Sequence, residues 1–322
     1  MSVLVYTENW DGKFKKISHE LVSYAGKVAE MVNTTATVLS IGNVDEDELK
    51  ALGVRGAAKI ISVNHENLKV LDNRAYAGVI SEIAQRERAT VIVLANNNSG
   101  KALAPRLSVK LKAGIGACVS RLPLSIEPFT VYKKVFSGNA YAHVVLKSDI
   151  KIITLAQNSF DLIETPDNAV IEKAEVDVDS SSVTTKISDV QKQAGQLLLT
   201  DAEIVVSAGR GMKSPDNWGP IEELAQLLGA ATACSRPVSD EGWRPHGEHT
   251  GQTGKVIAPN LYIAVGISGA IQHLAGISSS KCIVAINTDK DAPIFEAADY
   301  GIIGDALKIL PQLIEAVKEM KS

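Results

Sequence analysis

The chain has 322 residues, a formal net charge of −4, and 45% hydrophobic but only 5% aromatic residues. That length carries about two domains of ordinary size, and so mild a charge excludes nucleic acid as a bulk partner. The three cysteines, Cys118, Cys234 and Cys282, show no CxxC spacing, which excludes a disulfide framework and an iron–sulfur cluster and points to a reducing compartment.

The N-terminus opens directly on an apolar strand, Val3–Thr7, with neither a signal h-region nor an Arg-rich transit segment. A soluble cytoplasmic chain is expected, or a mature one already stripped of its targeting segment. Ser18–Val32 follows as an amphipathic helix, with Leu21, Val22, Ala25, Val28, Ala29 and Val32 at helical spacing. Thr37–Ile41 reads as a short buried strand and Asp45–Leu52 as a helix with an acidic start. Lys59–Val63 is the next strand, Asn73–Arg86 a helix and Thr90–Ala95 a strand. Asn96–Gly100 reads as a turn, with Ala102–Leu111 helical after it. This alternation predicts a mostly parallel sheet covered by helices on both faces.

From Ala117 the pattern changes. Val131–Val135, Ala140–Leu146 and Ile150–Leu155 are β-branched runs separated by the turns Ser137-Gly138-Asn139 and Ser148-Asp149. They read as an antiparallel appendage to the first sheet. Val176 and Val178 suggest a last strand within the polar segment Glu172–Gln191, which ends at the expected domain boundary. Residues 1–191 therefore read as a first α/β domain and 192–322 as a second.

The second domain restarts the alternation. Ile204–Ala208 is a strand ending in Gly209-Arg210-Gly211, Pro220–Leu228 a helix, and Val256–Ala258 a short strand. Leu261–Val265 is a strand, followed by a helix from about Ala270. Lys281–Asn287 is a strand and Ala306–Glu319 a terminal helix. The stretch 261–277 is strongly apolar but is broken by Gly266, Gly269, Gln272, His273 and Gly276, and makes a poor membrane span.

The run Val265-Gly-Ile-Ser-Gly-Ala-Ile-Gln-His273 takes a strand through two glycines into a helix. Such a turn presents free backbone N–H groups at a helix N-terminus, the anion-binding geometry of a Rossmann-like domain built for a dinucleotide. Without a full GxGxxG fingerprint, a tight βα turn with no ligand fits equally well. His273 in that first turn reads either as a core histidine or as a neutral imidazole facing a ligand, since the helix dipole opposes its protonation.

Gly251-Gln-Thr-Gly-Lys255 is not a P-loop, because His249 stands where its first glycine belongs and Val256 where Ser or Thr should follow. It remains a glycine-bounded loop, either an ordinary turn or a binding loop. His246-Gly-Glu-His249 brings too few ligands for a metal. Arg236, flanked by apolar sequence, wants an acidic, phosphate or π partner; a surface salt bridge serves as well. Asn287 and Asp305 follow apolar segments at the sheet edge where α/β ligands sit, although both also suit loop capping.

In order and spacing these pieces resemble the alpha subunit of electron transfer flavoprotein. The resemblance rests on Gly209-Arg-Gly-Met-Lys-Ser214, Ser235-Arg236, Gly251-Gln-Thr-Gly-Lys255, Leu261 through Gly276, Ile283-Val-Ala-Ile-Asn287, and Ala292-Pro-Ile-Phe295 through Ala298-Asp-Tyr-Gly301. The first domain fits through its alternation and Phe136-Ser-Gly-Asn-Ala140. The resemblance implies a redox carrier with no small-molecule substrate of its own. It would pair with a beta subunit and hold one FAD mainly in the C-terminal domain. Electrons would pass from flavin dehydrogenases of the acyl-CoA type to a membrane quinone oxidoreductase.

Carried over by position, Arg210, Ser235, Arg236, Thr250, Gly251, Gln252, Thr253, Ser268, Gly269, Ala270, Ile271, Gln272, His273, Asn287 and Asp305 would line the FAD site. Thr253 would bond flavin N5, Arg236 would lie against the isoalloxazine, and His273 near N1 and O2. Ser268 to Gln272 would sit by the pyrophosphate and ribityl chain, Asn287 and Asp305 at the adenosine end. A guanidinium and an imidazole there would stabilise the negative charge that one-electron reduction places on the ring. Pro237-Val-Ser-Asp-Glu-Gly242-Trp243 and Arg244-Pro-His-Gly-Glu-His-Thr250 depart from the frequent family pattern, and Ser235-Arg236-Pro237 with Gly242-Trp243 is similar to the subgroup whose beta subunit carries a second FAD and bifurcates electrons. A competing reading is a free-standing NAD(P)-dependent enzyme with His273 as acid or base, but no acid–base partner stands near His273 in sequence.

Overall fold

In a computed structural model, which describes residues 2–138, 140–166, 168–178, 183, 185, 187–189 and 197–321, the chain separates into two compact units, 1–191 and 192–322. Gln191, the expected boundary residue, lies outside the described residues.

In the first unit the main sheet runs Ala140–Val145, Phe129–Val135, Gly114–Val119, Lys151–Leu155, Ala89–Ala95, Ser2–Thr7, Ala36–Ile41, Lys59–Val63 and Val170–Lys173. Its centre is parallel, and Ser2–Thr7 and Ala36–Ile41 are buried throughout, because helices cover both faces. One face packs on the helices Lys16–Met31 and Glu46–Gly53 through Leu21, Val28 and Leu52. The other packs on Asn73–Arg86 and Asn98–Leu111 through Ile80, Ile83 and Leu107.

Several expectations are corrected here. Asn98–Gly100, read as turn, is already helix: Asn97 caps it by accepting the Gly100 N–H at 2.9 Å on its side-chain oxygen. The Glu8 carboxylate accepts from Asn97 and Ser99 at that helix start, so a side chain of the chain itself fills the place where an anion would settle. Lys151–Leu155 is not part of an antiparallel appendage. It lies parallel between Ala89–Ala95 and Gly114–Val119, the latter a strand that its glycines and small residues hid. Within the main sheet the antiparallel pairing is confined, among the described residues, to Phe129–Val135 with Ala140–Val145 and two minor contacts of Phe129–Val135, with Ser125–Ile126 and Val119; Asn9–Trp10 and Lys13–Phe14 form a separate small antiparallel pair. The edge strand is Val170–Lys173; Val176 and Val178 are buried but belong to no strand. Phe136–Gly138 forms a single 3-10 turn, and Asn139 lies outside the described residues.

The second unit has a wholly parallel sheet in the order Ala231–Cys234, Ile204–Ala208, Leu261–Val265, Cys282–Asn287, Tyr300–Ile303. The helices Gly219–Leu228 and Ala306–Lys321 cover one face with Ile221, Leu224, Leu310 and Ile314. Ile257, Ile267, Ile277 and Ile294 close the other. Val256–Ala258 is not a strand. Ala231–Cys234, too short and too small in its side chains to stand out, and the exposed edge Tyr300–Ile303, which does not alternate between apolar and polar, were not expected from periodicity.

Candidate functional site

Because every strand of the second sheet runs the same way, the segments leaving their carboxyl ends gather at one edge. Gly209-Arg210-Gly211 leaves Ile204–Ala208, Ser235-Arg236 leaves Ala231–Cys234, and Gly266–Ala270 leaves Leu261–Val265. Together with the 249–253 loop they enclose a cavity of about 570 Å³, within the usual range for a bound small molecule.

The 249–253 loop is held by its backbone. Thr250 donates its N–H to Cys234 at 3.0 Å, and Gln252 donates to the Gln272 carbonyl at 2.7 Å. Two backbone contacts make this possible. A Cβ on Gly276 would stand 2.5 Å from Gly251 Cα, and one on Gly211 would stand 2.6 Å from Gly266 Cα. Only glycine lets the helix Ile271–Ile277 approach the loop, and the two strand ends approach each other, so closely.

Behind the loop, Arg244 makes a clamp. Its guanidinium donates to both Glu248 oxygens at 2.7 and 2.9 Å and to Glu222 at 2.7 Å, and it lies 5.6 Å from the Trp218 ring centroid. Glu248 directly precedes His249 and Thr250, so the clamp sets where those two side chains enter the wall.

The wall carries unpaired polar atoms. His249 Nδ1, Thr250 Oγ1 and His273 Nδ1 are buried without a protein partner. A buried polar group left unsatisfied costs about 1–3 kcal/mol, and these three cavity-lining residues each carry a buried polar atom that the fold leaves without a hydrogen bond of ordinary geometry. His273 is neutral: burial pulls its pKa down to about 4 and the His249 ring adds to this, while the Thr250 backbone opposes. The neutral form expected from the helix dipole is therefore favoured mainly by desolvation. His273 Nε2 lies 2.9 Å from the Tyr262 hydroxyl. Burial, with His246 and Arg236 beside it, also lowers the pKa of His249, against the pull of Asp240.

Arg236 begins the short helix Arg236–Asp240, caps nothing, and pairs with Asp240 at 3.2 Å across an exposed turn while also lining the cavity. Arg210 likewise lines it, with Glu241 at 3.6 Å. His246 and His249 have ring centroids 5.4 Å apart, and among the described residues no three His, Cys, Asp or Glu side chains group to hold a metal.

Of the residues expected at the site, Arg210, Ser235, Arg236, Thr250, Gly251, Gln252, Thr253, Ser268, Ala270, Gln272, His273 and Asn287 line this one cavity. Gly269, Ile271 and Asp305 are not among its lining residues. Gly269 turns the chain at φ +86 against Ile294, and Ile271 is 71% exposed. Asp305 accepts from Lys213 at 2.9 Å and caps the terminal helix through the Leu307 N–H at 3.0 Å. Its pKa is lowered by Lys213 first and by that N–H second. Gly211, Pro237, His249, Gly266 and Ile267 also line the cavity and were not singled out as site residues. The glycines were legible as close-approach positions; His249 was read only as a poor metal ligand.

A parallel sheet opening its carboxyl edge onto a largely apolar cavity with a few polar side chains in its wall defines a ligand-binding α/β protein. Residues 198–278 match the electron transfer flavoprotein FAD-binding domain, and residues 3–179 the electron transfer flavoprotein domain. Electron transfer flavoprotein subunit alpha of Thermoanaerobacterium thermosaccharolyticum is 36% identical, the match covering 99% of this chain and 98% of the relative. Protein FixB of Clostridium saccharobutylicum is 33% identical over 99% and 97%. Acryloyl-CoA reductase electron transfer subunit beta of Anaerotignum propionicum is 32% identical over 99% and 96%. The chain belongs to the electron transfer flavoprotein alpha-subunit family.

Proposed function

We propose that the second unit holds one FAD and that the chain, paired with an electron transfer flavoprotein beta subunit, carries electrons between other redox proteins. The observation carrying this reading is the convergence of Arg236, Thr253 and His273, from three separate segments, on one cavity. The three buried atoms without partners suit a ligand rich in acceptors and donors. Bound FAD supplies reversible one-electron chemistry. The chain's own part is to bind and orient it. Thr253 would hydrogen-bond the flavin at N5, Arg236 would set positive charge beside the ring, and His273 would offer a neutral group toward N1 and O2. Ser268, Ala270 and Gln272 would take the pyrophosphate and ribityl chain, and Asn287 the adenosine end; Asp305, held by Lys213 outside the cavity wall, would serve that end only if it turned from this pair.

In this reading the donors are flavin dehydrogenases of the acyl-CoA type, the acceptor is a membrane quinone oxidoreductase, and the first unit is a scaffold for the beta subunit. The carrier works in the cytoplasm; no helix among the described residues is long and apolar enough to cross a membrane. Co-expression with the beta subunit tests the proposal: a yellow heterodimer with stoichiometric FAD is expected. A heterodimer that stays colourless after reconstitution in excess FAD overturns it.

A second reading, an electron-bifurcating complex, is favoured by Ser235-Arg236-Pro237 with Gly242-Trp243. Pro237 sits in the first turn of the helix Arg236–Asp240, and the Trp243 N–H closes that turn on the Val238 carbonyl at 3.0 Å. Two flavins per heterodimer would select it; one would exclude it.

A further inference from the structure

Tyr262 lies in the strand Leu261–Val265 and His273 in the helix Ile271–Ile277, and both side chains are buried. Their rings stand 6.0 Å apart between centroids, tilted by 52°, with the hydroxyl 2.9 Å from Nε2. Tyr262 does not line the cavity; His273 does. One edge of the imidazole is therefore taken up by the protein interior, and Nδ1 is the ring nitrogen that makes no hydrogen bond of ordinary geometry, although the Thr250 backbone lies close enough to the ring to favour its protonated form.

We infer that Tyr262 is a positioning residue, whose hydroxyl holds the His273 imidazole as the Nδ1–H tautomer and so gives the cavity a neutral hydrogen-bond donor.

A neutral imidazole carries one N–H, and which nitrogen bears it is set by the bond the other makes. Two arrangements satisfy the contact. Either the phenol donates to a bare Nε2, or Nε2–H donates to the phenol oxygen. The phenol is the more acidic partner and the bare ring nitrogen the more basic acceptor, so the first arrangement is the stronger bond. Burial raises the pKa of the Tyr262 hydroxyl, so the phenol keeps the proton it has to share. The single imidazole proton then belongs to Nδ1. A buried N–H without an acceptor is costly, and a ligand that brings one satisfies it. The opposite tautomer would present a lone pair to the same ligand and repel its acceptor atoms. In naming flavin N1 and O2 as those acceptors, the inference rests on the proposed FAD site. The tautomer itself does not.

The test is long-range proton–nitrogen NMR of the full chain, labelled in its six histidines, before and after addition of FAD. His273→Gln assigns the signal. At pH 7 the flavin-free wild type is expected to show a protonated Nδ1 and a bare Nε2 on His273. Tyr262→Phe is expected to mix or invert the two and to weaken FAD binding about tenfold, the effect of one misdirected hydrogen bond. A wild-type ring protonated at Nε2, or an unchanged tautomer in Tyr262→Phe, overturns the inference. If Tyr262→Phe does not fold, the wild-type spectrum alone decides. A chain with protonated Nδ1 that takes up no FAD supports the role of Tyr262 and counts against the proposed function instead.

Discussion

Gly276 and Gly251 meet backbone to backbone, so closely that a single added carbon on Gly276 would fall 2.5 Å from Gly251 Cα. The contact seats the cavity loop on the helix that carries His273. Gly276→Ala is expected to push the two apart, costing about 1–3 kcal/mol of stability and weakening FAD binding at least about tenfold. Urea unfolding and flavin titration read the two effects. Gly219→Ala is the control: its Cβ meets nothing within 4 Å and its φ is helical, so stability should rise by about 0.5 kcal/mol. Equal effects at the two positions would remove the backbone contact from the account.

Arg236 is 64% exposed in its side chain and its pair with Asp240 spans one helical turn, so it contributes little to folding. Arg236→Ala is expected to leave the unfolding midpoint unchanged. It should lower the flavin potential by on the order of 60 mV, a tenfold change in a one-electron equilibrium. Redox titration of the flavin-loaded heterodimer checks this. An unshifted potential takes the guanidinium out of the redox mechanism.

His273 makes stability depend on pH. Its folded pKa of about 4 lies below the ordinary value of 6.5. Above pH 6.5 the ring is neutral in both states and its contribution is complete. As pH falls below 6.5 the unfolded chain takes up a proton that the buried ring refuses, and stability drains away until pH reaches about 4. The loss attributable to this residue is about 3 kcal/mol. Urea midpoints between pH 7 and 4 should therefore fall more steeply in wild type than in His273→Gln. Parallel curves would mean that the ring titrates as if exposed.

Arg244 joins Glu222, Glu248 and Trp218 with only 21% of its side chain exposed. Arg244→Ala is expected to cost about 2–4 kcal/mol, since it strands a half-buried carboxylate as well as losing a bidentate pair. Arg244→Lys should recover less than half of that, because an ammonium cannot span both Glu248 oxygens. FAD affinity should fall in parallel, the loop bearing His249 and Thr250 being released. Chemical denaturation of the two variants, with flavin titration, separates the loss of the fork from the loss of the charge.

The elements that sequence reading placed well are those with strong local patterns. Lys59–Val63, Asn73–Arg86, Ile204–Ala208 and Leu261–Val265 have the bounds their runs predict. Elements whose character comes from distant partners were missed. Gly114–Val119 contains two glycines and is a strand because Lys151–Leu155 lies beside it. Val170–Lys173, not Val176 or Val178, extends the sheet, because register on Lys59–Val63 decides the edge. Helix capping by Asn97 turned an apparent turn into a first turn of helix. At the candidate site, Ser235-Arg236 and the 250–253 loop were legible through their order and spacing. The engagement of Asp305 with Lys213 was not, since nothing in the local sequence joins residues so far apart. The Tyr262–His273 contact was equally hidden: it needs the strand and helix to be packed before the hydroxyl finds the ring.

The single direction shared by all strands of the second unit divides labour between its two rims. The amino-terminal rim contributes no residue to the cavity wall described above. The opposite rim supplies the loops that form that wall, and they hang from the sheet by a few glycine contacts. Exchanging those loops between relatives should therefore retune the cavity's chemistry while the scaffold keeps its shape, which makes this rim the natural place for one ancestor to have yielded carriers of different potential.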